Sequence, residues 1–209
     1  GLDMGSFQSM SDQKSDQSAG NLQSFDDGPA NNAQRPAYAW KRLPVPVIAA
    51  IHGVSFGGGL QIALGADIRI AAPDAKLSVM EIKWGLIPDM SITQTLRDLI
   101  PIDVAKELTF SGRIVSGQDA SDLGLVTRVA ENPLEAAMAL AKEIAGKNPD
   151  AIRFGKQLFE ESWHADEATG LAMESRLQTT LSGTENQLEA IKANFENRSP
   201  AFGPATLKA

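Results

Sequence analysis

A glycine-rich turn is the segment of this sequence whose residues could most directly do chemistry. Residues 51–60 are Ile-His-Gly-Val-Ser-Phe-Gly-Gly-Gly-Leu, between an apolar strand and a predicted short helix. Unpaired N–H groups in the first turn of a helix point outward with partial positive charge, and consecutive glycines let a ligand approach the main chain closely. The turn therefore predicts donors for an oxyanion. A tight turn that only packs against a neighbouring element is the alternative.

The same turn also fits a second chemistry. Gly53-Val-Ser-Phe-Gly57 matches the G-x-S-x-G nucleophile elbow of α/β-hydrolases, and His164 follows it in the chain. On this alternative Ser55 is a nucleophile. Two glycines directly after the elbow are weak residues for a first helical turn, and His164 lies among polar residues, so both observations argue against a hydrolase. His52 is expected to pack beside the strand.

An α/β core must hold the turn in place. Strands are predicted at residues 47–51, 67–72 and 76–82, with a short helix at 60–64 between the first two, and Leu125–Val129 follows a further helix. Helix starts are predicted from capping residues and from proline at the first helical position. These starts are at Ser116, Asn132, Asn148, Asp166 and Thr184.

The pattern along the chain predicts three regions. Residues 1–37 contain no Val or Ile and are rich in small polar residues, which predicts a mobile loop. Met4, Phe7 and Met10 recur every three residues, so a lid over an active site is the alternative. Residues 38–131 are predicted to form the core, and residues 132–209 an all-helical region.

Composition excludes several functional classes. The 209 residues carry 19 basic and 26 acidic side chains, a net charge of −7 that argues against nucleic acid as a partner. No apolar run approaches the roughly 18 residues that span a bilayer. The absence of cysteine excludes thiol catalysis, and two isolated histidines argue against a zinc site. We therefore expect a soluble, cytoplasmic protein without a metal.

Several motifs, in order, resemble the crotonase superfamily of enoyl-CoA hydratases and isomerases. The resemblance covers residues 46–71, Glu81-Ile-Lys-Trp-Gly-Leu-Ile-Pro-Asp89, residues 107–113, residues 119–126 and residues 194–202. It implies an α/β spiral of ββα units and C-terminal helices that build homotrimers or homohexamers. It also implies that the substrate is an acyl-CoA thioester, with coenzyme A as part of the substrate and no separate cofactor.

The resemblance assigns an oxyanion site to the glycine turn. It implies that the N–H of Gly58 holds the thioester oxygen while an enolate forms. The second donor of the family precedes a Gly-x-Asp motif, which here is Gly1-Leu-Asp3. The sequence thus resembles a family member that lacks its first strands. Further residues are implied to line the substrate: Leu2, Asp3, Gly57, Gln61, Trp84 and Pro88.

The side chains at the implied catalytic positions favour one reaction. Hydratases of the family use two glutamates; Glu81 matches one, but Gln61 stands at the other, and an amide cannot accept a proton from water at neutral pH. Asp89 follows Glu81 by eight residues, as in dienoyl-CoA isomerases. We therefore expect a double-bond isomerase, with Glu81 as base and Asp89 as partner acid. Hydration is the second hypothesis, and a non-catalytic scaffold that assembles without binding coenzyme A is the third.

Structural roles for the two carboxylates are the alternative to catalysis. Glu81 could pair with Lys83 on an exposed strand face, and Asp89 could cap a helix that starts near Met90. Residues Met90–Gln94 also depart from the family pattern, because many members have glycines there. A different pocket wall is expected at this segment.

Overall fold

The computed structural model describes residues 28–207 of the chain. Within this range the chain forms two compact units, the first from residues 28–42 and 47–137 and the second from residues 43–46 and 138–207. Most of the predicted loop, residues 1–27, lies outside the described residues, and so do Leu2 and Asp3.

Short strands and helices alternate through the first unit, and longer helices follow. The strands are β1 (Ile48–Ile51), β2 (Val54–Phe56), β3 (Ile68–Ala71), β4 (Lys76–Ser78), β5 (Val115–Ser116) and β6 (Arg128–Val129). The helices are α1 (Arg35–Arg42), α2 (Gly58–Leu64), α3 (Ile92–Thr95), α4 (Ile102–Ser111), α5 (Gly117–Leu123), α6 (Pro133–Ala145), α7 (Pro149–Ser162), α8 (Glu167–Leu181) and α9 (Glu185–Phe195). Two 3₁₀ turns, Glu81–Trp84 and Leu96–Asp98, flank α3.

Consecutive strands of the first unit belong to two different sheets. β1, β3 and β6 form a parallel sheet, whereas β2, β4 and β5 form a second sheet in which β4 and β5 are antiparallel. The chain therefore places β1 in one sheet and β2 in the other before it forms α2. The same alternation at β3 and β4 confirms the predicted α/β core of ββα units.

Apolar side chains between these elements form the core of the first unit. Leu60, Ile70 and Leu77, from α2 and the two sheets, are almost fully buried, and burial of each such side chain contributes about 1.5–3 kcal/mol. Position 65, at the C-cap of α2, requires glycine because a Cβ there would lie 2.1 Å from the carbonyl oxygen of Ala37. The missing side chain lets the backbone of α1 pack directly on α2.

Two local predictions in the first unit differ from the structure. The segment 54–56, predicted as part of the turn, forms β2, because its backbone pairs with β4. The predicted strand at 76–82 ends at Ser78, and Glu81–Trp84 instead forms a 3₁₀ turn closed by Gly85 in the left-handed region. In the segment 125–129, for which only its place after a helix was predicted, Arg128 and Val129 pair with β3.

The second unit is helical, and its capping residues confirm the predicted starts. Asn148 caps α7 through bonds from two backbone N–H groups, and Asp166 caps α8. The helices enclose a small core of Phe154, Met173 and Leu177. No helix among residues 28–207 has the length and apolar character needed to cross a membrane.

Candidate active site

The glycine turn makes a sharp bend between β2 and α2. Gly57 has φ +53°, a conformation that favours glycine, and its N–H donates to the carbonyl oxygen of Ser78 at 2.9 Å. Its own carbonyl accepts from the N–H of Gln61 at 3.0 Å, which closes the first turn of α2. The bend therefore fixes where α2 begins.

Gly58 is the first residue of α2 and has an available N–H group. This N–H donates to no atom among residues 28–207, as expected for a first helical residue. Without a side chain at Gly58, the group can be approached closely. It can donate a hydrogen bond to a ligand oxygen, which is the role predicted for it.

Ser78, three residues before Glu81, is hydrogen-bonded both to the glycine turn and to the end of α4. Its buried hydroxyl donates to the carbonyl oxygen of Gly112 at 2.8 Å, while its carbonyl accepts from Gly57. Gly112, at the end of α4, has φ +60°, and a Cβ there would lie 2.9 Å from Cγ2 of Ile82. The 3₁₀ turn thus packs tightly against the end of α4.

Glu81 projects from this 3₁₀ turn toward α2. Its Oε1 accepts a hydrogen bond of 2.6 Å from Nε2 of Gln61, and a Cβ on Gly57 would lie 3.2 Å from the same oxygen. Its Oε2 is buried and has no hydrogen-bond partner among the described residues. The alternative to a catalytic role, a pairing with Lys83 on a strand face, is not formed, since Glu81 lies on a turn and is bound to Gln61.

Gln61 links Glu81 to the segment after the 3₁₀ turn. The side chain is 1% exposed, and its Oε1 accepts from the backbone N–H of Met90 at 2.8 Å. Both ends of the amide are therefore hydrogen-bonded. The structure thus brings Gly57, Gln61 and Glu81 into direct contact beside Gly58.

The other predicted residues of this segment lie nearer the surface. Asp89 is exposed and has no hydrogen-bond or ion-pair partner among the described residues. Its predicted capping role is wrong, because the N-cap of α3 is Ser91 and no side chain caps that helix. Pro88 is half-buried, and Trp84 is 41% exposed with Nζ of Lys83 5.7 Å from its ring centroid.

The hydrolase alternative does not fit the geometry of Ser55. A nucleophile elbow places its serine on a strained turn between strand and helix. Ser55 is instead the central residue of β2, paired with Leu77, and its φ is not positive. The sharp turn falls two residues later, at Gly57.

Met90 and Ser91 are site residues that the sequence analysis did not identify. Met90 contributes only its N–H group, which side-chain patterns do not reveal. Ser91 is buried with φ +67°, and its hydroxyl donates to the carbonyl oxygen of Gln34 at 3.2 Å. One signal in the sequence pointed to this segment: residues 90–94 stand where many family members have glycines. Glycine is common at positions with positive φ, which is the conformation of Ser91.

No group of three or more His, Asp or Glu side chains between residues 28 and 207 is arranged to hold a metal ion. The groups described above that can exchange a proton are the partly buried carboxylate of Glu81 and the exposed carboxylate of Asp89.

The sequence of this chain is similar to those of known proteins. Residues 5–205 match the family model described as enoyl-CoA hydratase/isomerase. The chain is 40% identical over 166 residues to the mitochondrial methylglutaconyl-CoA hydratase of Mus musculus, covering 77% of this chain and 53% of the relative. It is 38% identical over 163 residues to a probable enoyl-CoA hydratase of Bacillus subtilis (strain 168), covering 77% and 63%.

A solved structure agrees with the fold as well. The crystal structure of the enoyl-CoA hydratase from Bacillus anthracis superposes with a TM-score of 0.78 at 36% identity, covering 82% of this chain and 67% of that chain. The chain spans about half the length of the methylglutaconyl-CoA hydratases that it matches.

Proposed function

This chain belongs to the enoyl-CoA hydratase/isomerase family, and from that premise we propose that it adds water across the double bond of a 2-enoyl-CoA thioester. Glu81 is the acid–base group in this proposal. The observation that carries it is the buried Oε2 of Glu81, which has no hydrogen-bond partner among the described residues. An unpaired buried carboxylate oxygen is costly unless a ligand supplies the missing donor, and a water molecule bound there is such a donor.

One carboxylate is sufficient for the whole addition. Oε2 of Glu81 accepts a proton from water while the water oxygen bonds to C3 of the substrate. The electrons of the double bond move to the thioester oxygen, and the N–H of Gly58 donates to the resulting enolate. Glu81 then returns the proton to C2, so that H and OH are added and the carboxylate is regenerated.

The names of the relatives support hydration over isomerisation. The relatives from Mus musculus and Bacillus subtilis, at 40% and 38% identity, are both named hydratases. Proposing hydration revises the isomerase expected from the sequence, although Gln61 still stands where family hydratases have a second glutamate. The proposal therefore requires Glu81 to act as both base and acid.

Isomerisation is a second candidate because of Asp89. This carboxylate is exposed, has no partner among the described residues, and directly precedes Met90, whose N–H binds Gln61. In this alternative Glu81 removes a proton from one carbon of an enoyl-CoA or dienoyl-CoA, and Asp89 or Glu81 returns one at another carbon. Assembly as a homotrimer or homohexamer and cytoplasmic localisation remain predictions.

Hydration is tested with the full-length protein in H₂¹⁸O. Crotonyl-CoA and methylglutaconyl-CoA are supplied separately, and the products are analysed by mass spectrometry. We expect a 3-hydroxyacyl-CoA carrying one ¹⁸O on C3. In D₂O, addition from a single carboxylate predicts that D and OD enter the same face of the double bond. A product that only has its double bond shifted, without ¹⁸O, would replace hydration by isomerisation.

A further inference from the structure

The carboxylate of Glu81 is held through one of its two oxygens, and we infer that Gln61 is the positioning residue that does so. In this inference Gln61 reserves Oε2 of Glu81 for proton exchange with the substrate and does not itself bind substrate or activate water. The inference rests on the proposed acid–base role of Glu81. It replaces the substrate-binding role that the family resemblance implies for Gln61.

The orientation of the Gln61 amide follows from its neighbours. The backbone N–H of Met90 can only donate, so the amide oxygen must face it at 2.8 Å. The NH₂ group then necessarily faces Oε1 of Glu81, at 2.6 Å. Both ends of the amide are thus bound to protein groups, and only 1% of the side chain is exposed, so the second N–H and the second lone pair have little access to solvent.

This orientation makes the two oxygens of Glu81 unequal. Oε1 accepts from Gln61 and lies so close to Gly57 that an added Cβ there would be 3.2 Å away. A hydrogen bond from an N–H to Oε1 stabilises its charged form and so makes it the less favourable oxygen to protonate. Oε2 is buried without a partner among residues 28–207. Proton transfer therefore takes place at Oε2.

The same geometry predicts a different pH dependence when position 61 carries a carboxylate. A glutamate there would still accept from the N–H of Met90 but would bring a second carboxylate about 2.6 Å from Oε1 of Glu81. Two neighbouring carboxylates disfavour each other's ionisation, which raises the pKa of one of them. We therefore expect the Gln61→Glu variant to need a higher pH than the unmodified protein for Glu81 to accept a proton from water.

The test compares steady-state kinetics and pH–rate profiles of full-length variants. Gln61→Met keeps the volume and removes both hydrogen bonds. A misplaced catalytic group costs about 10²-fold in rate, so we expect kcat to fall by about that factor with KM changed less than about threefold. In Gln61→Glu, the acidic limb of the pH–rate profile is expected to move to higher pH by about one unit or more.

Two further variants separate the possible failures. Gln157→Met removes a comparable amide–carboxylate bond, from Nε2 of Gln157 to Oε1 of Glu161 at 3.1 Å, on a helix of the second unit, and should leave kcat unchanged. Glu81→Gln tests the proposed function itself: if it retains activity, the acid–base role of Glu81 fails, and the role of Gln61 fails with it.

Other outcomes overturn the inference alone. If Glu81→Gln is inactive but Gln61→Met keeps kcat within about threefold, Gln61 does not position Glu81. If Gln61→Glu raises hydration at neutral pH with an unchanged profile, position 61 is the place of a second base. Circular dichroism shows whether Gln61→Met folds. If this variant does not fold, the pH–rate profile of Gln61→Glu alone tests whether Gln61 positions Glu81.

Discussion

Nε2 of Gln61 lies 2.6 Å from Oε1 of Glu81, and this bond joins the first helix after the glycine turn to the 3₁₀ turn 20 residues later. It places a carboxylate beside Gly57, which directly precedes the N–H of Gly58, unpaired among the described residues, at the start of the helix. An acid–base group and an oxyanion donor at adjacent positions are the two requirements for chemistry through an enolate. The predictions below test each part of this arrangement.

A side chain at Gly57 is expected to impair catalysis through Glu81. Gly57→Ala introduces a Cβ at φ +53° and 3.2 Å from Oε1 of Glu81. With ψ −125° this backbone conformation lies outside the left-handed helical region, and an alanine held in it costs roughly 1–3 kcal/mol; displacement of the carboxylate should lower kcat by about 10-fold or more. Thermal unfolding and steady-state kinetics measure the two effects.

Gly53 offers a control for the effect of a side chain at a positive-φ position that does not contact Glu81. It has φ +62°, yet a Cβ there meets nothing within 4 Å. Gly53→Ala should also lose stability, because alanine disfavours positive φ, while keeping kcat. If both variants lose kcat equally, the effect comes from the turn as a whole rather than from contact with Glu81.

Replacing Asp89 distinguishes hydration from isomerisation. Asp89→Asn removes an exposed carboxylate without a partner among the described residues, so stability should change by less than about 0.5 kcal/mol. Under the hydratase proposal, hydration of crotonyl-CoA stays within about threefold of the unmodified rate. Loss of activity toward 3,5-dienoyl-CoA in this variant, but not in Asp103→Asn on α4, would instead assign Asp89 to isomerisation.

The ion pair between Glu189 and Arg198 is expected to make the free energy of unfolding depend on pH in the acidic range. Both oxygens of Glu189 accept from Arg198, at 2.6 and 2.9 Å, and the N–H of Ala201 donates to Oε1. These bonds, chiefly those from Arg198, lower the pKa of Glu189 from 4.5 to about 2. Because the folded-state pKa is the lower one, the stabilisation is present above pH 4.5 and is lost as the pH falls toward 2.

Melting temperatures across this pH range measure the contribution of Glu189. The difference between the unmodified protein and Glu189→Gln should be constant above pH 4.5 and shrink toward zero near pH 2. Glu174→Gln, on α8, is the control and should show no such pH-dependent difference. A difference that persists unchanged at pH 2 would contradict the role of the ion pair.

The sequence predicted the elements whose signals are local. The caps at Ser116, Asn148 and Asp166 are formed by side chains that bond the next helical turn, and all three occur as expected. The turn before α2 was also expected, because consecutive glycines allow both a sharp bend and a close approach. These features depend on neighbours in the chain and can therefore be inferred from composition and spacing.

Features that depend on distant residues were not predictable in this way. β2 is a strand because β4 lies beside it, and Glu81 lies on a 3₁₀ turn that packs against the end of α4. The bond between Gln61 and Glu81 requires Met90 to orient the amide, and no local pattern encodes that contact. The sequence therefore identified both side chains but not the bond between them.

The most direct test of the central claim is the kinetics of Glu81→Gln in the full-length protein with crotonyl-CoA. The substitution keeps the size of the side chain and the acceptor for Gln61 but cannot take a proton from water. General acid–base catalysis contributes about 10²–10⁴-fold, so kcat should fall by about 10³-fold. Calorimetric affinity for the acyl-CoA should be retained; failure of the unmodified protein to bind it would instead indicate a scaffold. An unchanged kcat in Glu81→Gln would contradict the account.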